Sequence, residues 1–276
     1  MAMTRLPEVA ERDASPEIAA IYDEMRRFTR LPLVNLIYRH LATMPGALPW
    51  AWSLLRPAFA DGALERAAGR VHAAVSLPPV APISRDKLDA AGLSRQDREQ
   101  AGQVIAAYNR GNSLNLVGLT AVRMALDAPP PPGNDGPSPA APAFAMPDIP
   151  PIRRIGDLDE NLAAKIERLA ELHGASAGGV IPSLYLHLAN WPGLLALLAD
   201  RVIPLLEDGT VARAGQEAAS AARLEAERLL PGLSASGPPP AEHADAHRRV
   251  LDSFTGRTIP QMMCLGLALS RAVDFE

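Results

Sequence analysis

The chain has 276 residues, 48% of them apolar and 21% charged, with a net charge of −4. That length can bury a sizeable core, and the weak negative charge, with 27 basic residues scattered along the chain, offers no footing for nucleic acid. The single Cys264 excludes an intramolecular disulfide, Met1 to Ala14 lack the apolar core of a signal peptide, and no apolar run is long enough for a bilayer span, so a cytoplasmic protein with no membrane partner is expected.

In chain order, Ser15-Pro16 caps and starts a helix with Ile18, Ile21, Tyr22 and Met25 on its apolar face. Helical patterns follow over 33–43, 47–60, 63–76, 95–108 and 112–127, with Pro45-Gly46 breaking the second from the third and Ser94 capping the fifth. From Ala128 to Pro151 the chain is dense in proline and cannot hold a helix or a ladder, so it reads as a linker. Beyond it, helices are predicted over 158–173, 183–190, 193–207, 210–229, 240–253 and 258–273. No segment shows convincing period-two alternation.

The two halves also share words. Tyr38-Arg39-His40-Leu41-Ala42-Thr43-Met44-Pro45-Gly46 returns as Tyr185-Leu186-His187-Leu188-Ala189-Asn190-Trp191-Pro192-Gly193, 147 residues later (185 − 38), and Asp61-Gly62 returns as Asp208-Gly209 at the same spacing. The expected fold class is all-α. Two homologous helical repeats, 1–127 and 152–276, joined by the linker at 128–151, would form an intrachain pseudo-dimer with a cleft between them.

The repeated segment with Leu48-Pro49-Trp50-Ala51-Trp52, then Tyr108-Asn109-Arg110-Gly111-Asn112, then Leu188-Ala189-Asn190-Trp191-Pro192, resembles the group I 2-haloacid dehalogenases. The match covers nearly the whole chain. The resemblance implies an all-helical pseudo-dimer with its site between the repeats. It also implies displacement of halide from short 2-haloalkanoates by a water that an aspartate activates, with inversion at C2 and no covalent intermediate. The ligand it implies is a small-molecule carboxylate, with no cofactor and no metal, and it leaves a homodimer of the whole chain open.

Carried over residue by residue, the asparagine that helps hold the water falls on Asn112 and the serine before the aspartate on Ser183. The aspartate itself falls on Leu184. No Asp or Glu occurs between Leu172 and Ala199, nor between Phe28 and Ala60, so neither half supplies a carboxylate from that position. A positioned base contributes about 10²–10⁴-fold, and leucine can neither accept a proton nor orient water. Two classes of function stand: a hydrolase-like protein whose base is lost or replaced, or a non-catalytic small-molecule binding protein on the same scaffold. A titratable group in the cleft would favour the first. A cleft whose polar groups are only amides and hydroxyls would favour the second.

By the same resemblance Leu33, Asn35 and Leu36 face the cleft, although Asn35 also reads as a cap for the helix after it. Asn112 and Asn115 follow Gly111, where a helix is predicted to start, so unpaired backbone N–H groups there would meet an anion. Simple capping by Asn112 is the plainer alternative. His40, His187, Tyr38 and Tyr185 read as packed residues with bonded polar tips rather than chemistry. His243 and His247 stand four apart, as metal ligands can, but read better as part of an exposed polar helix. Cys264 reads as core, and a lone cysteine excludes chemistry that needs a Cys-x-x-Cys pair. Glu24 and Asp200 are the distant carboxylates to watch as replacements for the base.

Overall fold

The computed structural model describes residues 6–131, 143–174 and 181–273. Among them the helices are α1 Pro16–Thr29, α2 Leu36–Leu41, α3 Ala47–Ala60, α4 Ala63–Ala74, α5 Arg85–Ala90, α6 Arg95–Ala125, α7 Glu160–Leu172, α8 Ser183–Leu188, α9 Pro192–Glu207, α10 Thr210–Leu229, α11 Ala244–Ser253 and α12 Ile259–Ala272. A π-helical stretch, Phe254–Thr258, joins α11 to α12. The described residues form no strand, only one isolated bridge between Ile83 and Val273. The fold is all-α, and no described helix is long and apolar enough to cross a membrane.

Local chemistry sets several of these limits. Ser15 accepts from the Ile18 N–H, with Pro16 next in line. Ser94 and Asp97 form a reciprocal capping box at the head of α6, and Asp159 accepts from Leu162 N–H at the head of α7. The described ends of the proline-rich segment carry no helix, while its centre, 132–142, lies outside the described residues. Pro150 and Pro151 on its far side are held by His187 and Asn190, whose side chains reach their carbonyls at 2.6 and 3.0 Å.

Four expectations need correction. The helix placed over 33–43 is only α2, because Pro32 and the extended Asn35 keep the chain out of the helix until Leu36. The short α5 falls between the helices predicted over 63–76 and 95–108, where none was placed. The helix at 240–253 starts only at Ala244, since Pro238-Pro239-Pro240 precedes it and His243 takes a left-handed conformation at its cap. Above all, the two helices placed at 95–108 and 112–127 are one 31-residue helix, α6. Gly111 lies in its interior and starts nothing. There it allows a close approach: a Cβ would stand 3.0 Å from Leu31 Cδ1 and 3.4 Å from both ends of the Asn35 amide.

Helix α6 is the axis of the molecule, packed against α12, α10 and α4, and α10 packs against α4 and α12 in turn. From Ala101 to Ala125 most of its residues are buried. At the crossing with α12, Asn109 donates from Nδ2 to the Gly266 carbonyl at 3.1 Å and to Ser270 Oγ at 2.7 Å. A Cβ on Gly266 would lie 1.8 Å from Asn109 Oδ1. Gly266→Ala is therefore expected to destabilise the protein by about 1–3 kcal/mol in denaturant titration, the usual cost of overpacking. In an Asn109→Ala background the same change should be neutral or stabilising, because the obstacle is gone and alanine favours the helix. Equal losses in both backgrounds would mean that the crossing does not depend on this fit.

Candidate functional site

Tyr108, Asn112 and Asn115 recur at spacings of four and three, which sets them on one face of the continuous α6. That face forms one wall of a cavity of about 60 Å³, several times the roughly 10–15 Å³ that one water needs on the same measure. The first residues of the two six-residue helices close it from either side: Asn35, Leu36 and Ile37 at α2, and Pro182, Ser183 and Leu184 at α8, with Ile181 beside them. The remaining wall is Phe254 and Thr258 of the π-helical stretch with Ile259 and Met262 of α12.

Six of the residues singled out from sequence thus meet: Asn35, Leu36, Asn112, Asn115, Ser183 and Leu184. Leu33 does not join them; it is half-buried against the core and lies outside the cavity lining. The N–H groups expected to be free around Asn112 are paired within α6, so no helix N-terminus presents itself there, and Asn112 caps nothing. Asn35 does hold the cap position of α2, but its side chain makes no capping bond. Ile259 and Met262 were missed, though the repeat spacing pointed to them: adding 147 to Asn112 and Asn115 gives their numbers. Tyr108 was missed because Asn109-Arg110-Gly111 looked like a break in the helix.

The chemistry of the lining is uncharged. Asn112 and Asn115 are 8% and 1% exposed, and neither amide hydrogen-bonds to another side chain or to the backbone. Asn112 Nδ2, Asn115 Oδ1 and the Tyr108 hydroxyl are buried without a partner. Among the described residues Tyr108 is the one titratable group in the wall, and burial raises its pKa far above the ordinary tyrosine value, against smaller opposing effects of Arg39 and the Ser183 hydroxyl. It stays protonated and cannot serve as a base near neutrality. Leu184, 0% exposed, puts hydrocarbon at the inner end of α8.

Neither distant carboxylate enters. Glu24 accepts from Trp52 Nε1 at 2.7 Å and from Arg56 at 2.6 Å, and Asp200 is exposed.

The repeated aromatic residues have structural partners in three cases out of four. His40 Nδ1 meets the Pro7 carbonyl and His187 Nε2 the Pro150 carbonyl, both at 2.6 Å. The Tyr185 hydroxyl bonds His173 Nε2 at 2.5 Å, and His173 Nδ1 meets Gln261 Oε1 at 3.1 Å. Tyr38 departs from expectation, its buried hydroxyl having no partner. The exposed polar reading of His247 is overturned: the ring is 1% exposed, stands edge-on to Trp50 at 6.3 Å, and both nitrogens lack partners. His243 is exposed outside the helix, so the two rings do not share a face. Cys264 is buried and free.

Replacing an unpartnered buried amide by hydrocarbon of similar size removes an unmet hydrogen-bonding demand. Asn115→Leu is therefore expected to raise stability by about 1 kcal/mol in denaturant titration; a loss of 2 kcal/mol or more would mean that the amide is a structural bond-former.

Burial pushes the imidazole of His247 down to about 4, with help from the charges of Arg248 and His40. His173 is also pushed down to about 4, by burial first and Arg257 last, with Gln261 opposing. In the unfolded chain both return to about 6.5, so folding favours the neutral rings. That stabilisation is complete above about pH 6.5 and is lost as pH falls toward 4. The thermal midpoint should fall across this window, and His247→Leu should flatten the fall; an unchanged slope would remove His247 as a cause.

No family model matches the chain. A configuration-inverting 2-haloacid dehalogenase from Alcaligenes xylosoxydans xylosoxydans is 29% identical over 240 residues, covering 83% of this chain and 78% of the relative. An (R)-2-haloacid dehalogenase from Pseudomonas putida is 30% identical over 105 residues, 36% of this chain and 35% of that protein. Among solved structures, the complex of a D-2-haloacid dehalogenase mutant with D-2-CPA superposes with a TM-score of 0.76 at 20% identity, over 98% of this chain and 95% of that one. The complex of D-2-haloacid dehalogenase with L-LA gives a TM-score of 0.68, with the same identity and coverage. The structural likeness shows the fold, and the sequence match runs along most of the length of both proteins. Along most of its length the chain is thus similar to 2-haloacid dehalogenases, and it shares their fold.

Proposed function

We propose that this protein binds a short 2-substituted carboxylic acid, or a close derivative of one, between two helical repeats and does not hydrolyse it by the route the family resemblance implies. The observation that carries this reading is the cavity lining: amides, hydroxyls and hydrocarbon, with Leu184 where a water-activating aspartate is expected. A nucleophilic water at an sp³ carbon needs a proton acceptor within reach. Tyr108 is held in its protonated form, and the nearest candidates elsewhere are bonded away or exposed. Of the two classes of function, binding fits this lining better than hydrolysis.

The repeat reading, with units 1–127 and 152–276 about the linker 128–151, is supported by element limits as well as by shared words. Adding 147 to the bounds of α2 gives those of α8, and the same step takes the start of α4 to the start of α10 and the end of α6 to the end of α12. Under that reading the cavity lies at a pseudo-two-fold axis. The first residues of α2 and α8 are equivalent, and Asn112 and Asn115 of α6 face their counterparts Ile259 and Met262. The pseudo-dimer would then carry one polar and one apolar copy of the same wall.

Halide release from racemic 2-chloro- and 2-bromopropionate tests the reading. The native chain is expected to release none, and Leu184→Asp to gain measurable release, because the substitution restores a proton acceptor beside Asn112 and Asn115. Release by the native chain would overturn the proposal. Silence from both would remove the dehalogenase-like cleft and leave only the binding function to be examined.

A further inference from the structure

The reading above leaves the charge state of the ligand open, and the walls of the cavity bear on it. Among the described residues, no Arg, Lys, His, Asp or Glu belongs to the lining. Arg39 is a cation whose charge is felt at Tyr108 in the wall. That guanidinium is already held by Glu8 at 2.7 Å and by the Val34 carbonyl at 3.0 Å. An anion entering the cavity would therefore meet no positive side chain among the described lining residues, and a buried charge without a partner is costly.

The amides add a second demand. Asn112 and Asn115 each bring two N–H donors and a carbonyl acceptor, and these are not used within the protein. A carboxylate has no proton to give. It could take N–H groups but would leave both amide carbonyls, and Asn115 Oδ1 in particular, unmet in a buried site. A group that offers an N–H or O–H beside a C=O meets both needs at once. On the opposite side, Leu184, Phe254, Ile259 and Met262 present hydrocarbon and sulfur to whatever stands behind that group.

Resting on the proposed binding function, we infer that the preferred ligand is uncharged: a primary carboxamide with a short apolar or halogenated tail. Its amide lies against Asn112 and Asn115 on α6, and its tail lies against Ile259 and Met262 on α12. The undissociated acid shares this chemistry, but at neutral pH it is a trace of the total acid.

Titration of the full chain with 2-chloropropionamide and, separately, 2-chloropropionate at pH 7.5, followed by calorimetry or ligand-observed NMR, distinguishes the cases. The amide is expected to bind at least tenfold more tightly than the carboxylate. Asn115→Leu should weaken amide binding tenfold or more while unfolding at a temperature no lower than the native chain, and Asn112→Leu should weaken it likewise. A carboxylate that binds as tightly as the amide, or more tightly, would overturn the inference while leaving the proposed binding function intact. Failure of both ligands to bind would overturn the two together. Amide binding that survives both asparagine substitutions would also overturn it, since the donor–acceptor pair would then not be the contact.

Discussion

The crossing of α6 and α12 is the constraint on which the other elements depend. Two helices can seat closely only where one offers a backbone without a side chain and the other a group that fits the gap. Here Asn109 reaches across to the Gly266 carbonyl and Ser270. That contact brings two buried faces together, and α10 and α4 close around them. Because α6 is continuous through this region, Tyr108, Asn112 and Asn115 keep a fixed register within about two turns of the crossing. The cavity wall is thus set by packing that has nothing to do with a ligand.

A helix so deeply buried tolerates polar residues only when something meets them. Asn109 donates from Nδ2 to the neighbouring helix, while its Oδ1 is unpaired. Asn112 and Asn115, on the same helix, are met by nothing in the protein. The same contrast holds elsewhere around the core, where Tyr185 and His173 satisfy each other and the Glu225 carboxylate is clamped by Arg70 and Arg228. Burial of this carboxylate raises its pKa, but bonding to Arg70 lowers it more, and the net shift is downward. Many interior polar groups are paired in this way, whereas the amides of Asn112 and Asn115 at the cavity are not. Asn109 Oδ1, His187 Nδ1, Arg201 Nε, the Tyr38 hydroxyl and both nitrogens of His247 are also unpaired away from it, and nothing in the structure explains their missing partners.

Much of the architecture was legible in the sequence, because helices announce themselves through local signals. The limits of α10 match the expected 210–229, and Ser15, Ser94 and the Pro45-Gly46 break stand where their chemistry puts them. What failed was non-local. Gly111 looks like a terminus by propensity, yet its role is set by Leu31 and Asn35, eighty and seventy-six residues earlier in the chain (111 − 31 and 111 − 35). His247 sits in a polar stretch and reads as exposed, but Trp50 from the first half stands against it. At the candidate site, motif residues led to one wall and both flanks. The apolar wall was missed, since Ile259 and Met262 look like any other core residues until their positions are compared with Asn112 and Asn115.

The π-helical stretch carries a consequence of its own. Each α-helical residue turns the chain by about 100°, and a π turn holds one residue more than an α turn. Phe254–Thr258 therefore takes up one residue more between α11 and α12 than an ordinary turn would. Removing one residue there, at the exposed Gly256 for instance, would let the stretch relax to ordinary helix and leave the flanking helices close to their present rotation. Removing a residue from the α-helical part on either side would instead rotate one flank against the other by about 100°. Either Ile259 and Met262 would then leave the cavity, or Leu251 and His247 would leave the core. The joint can thus absorb a change of one residue that the helices beside it cannot.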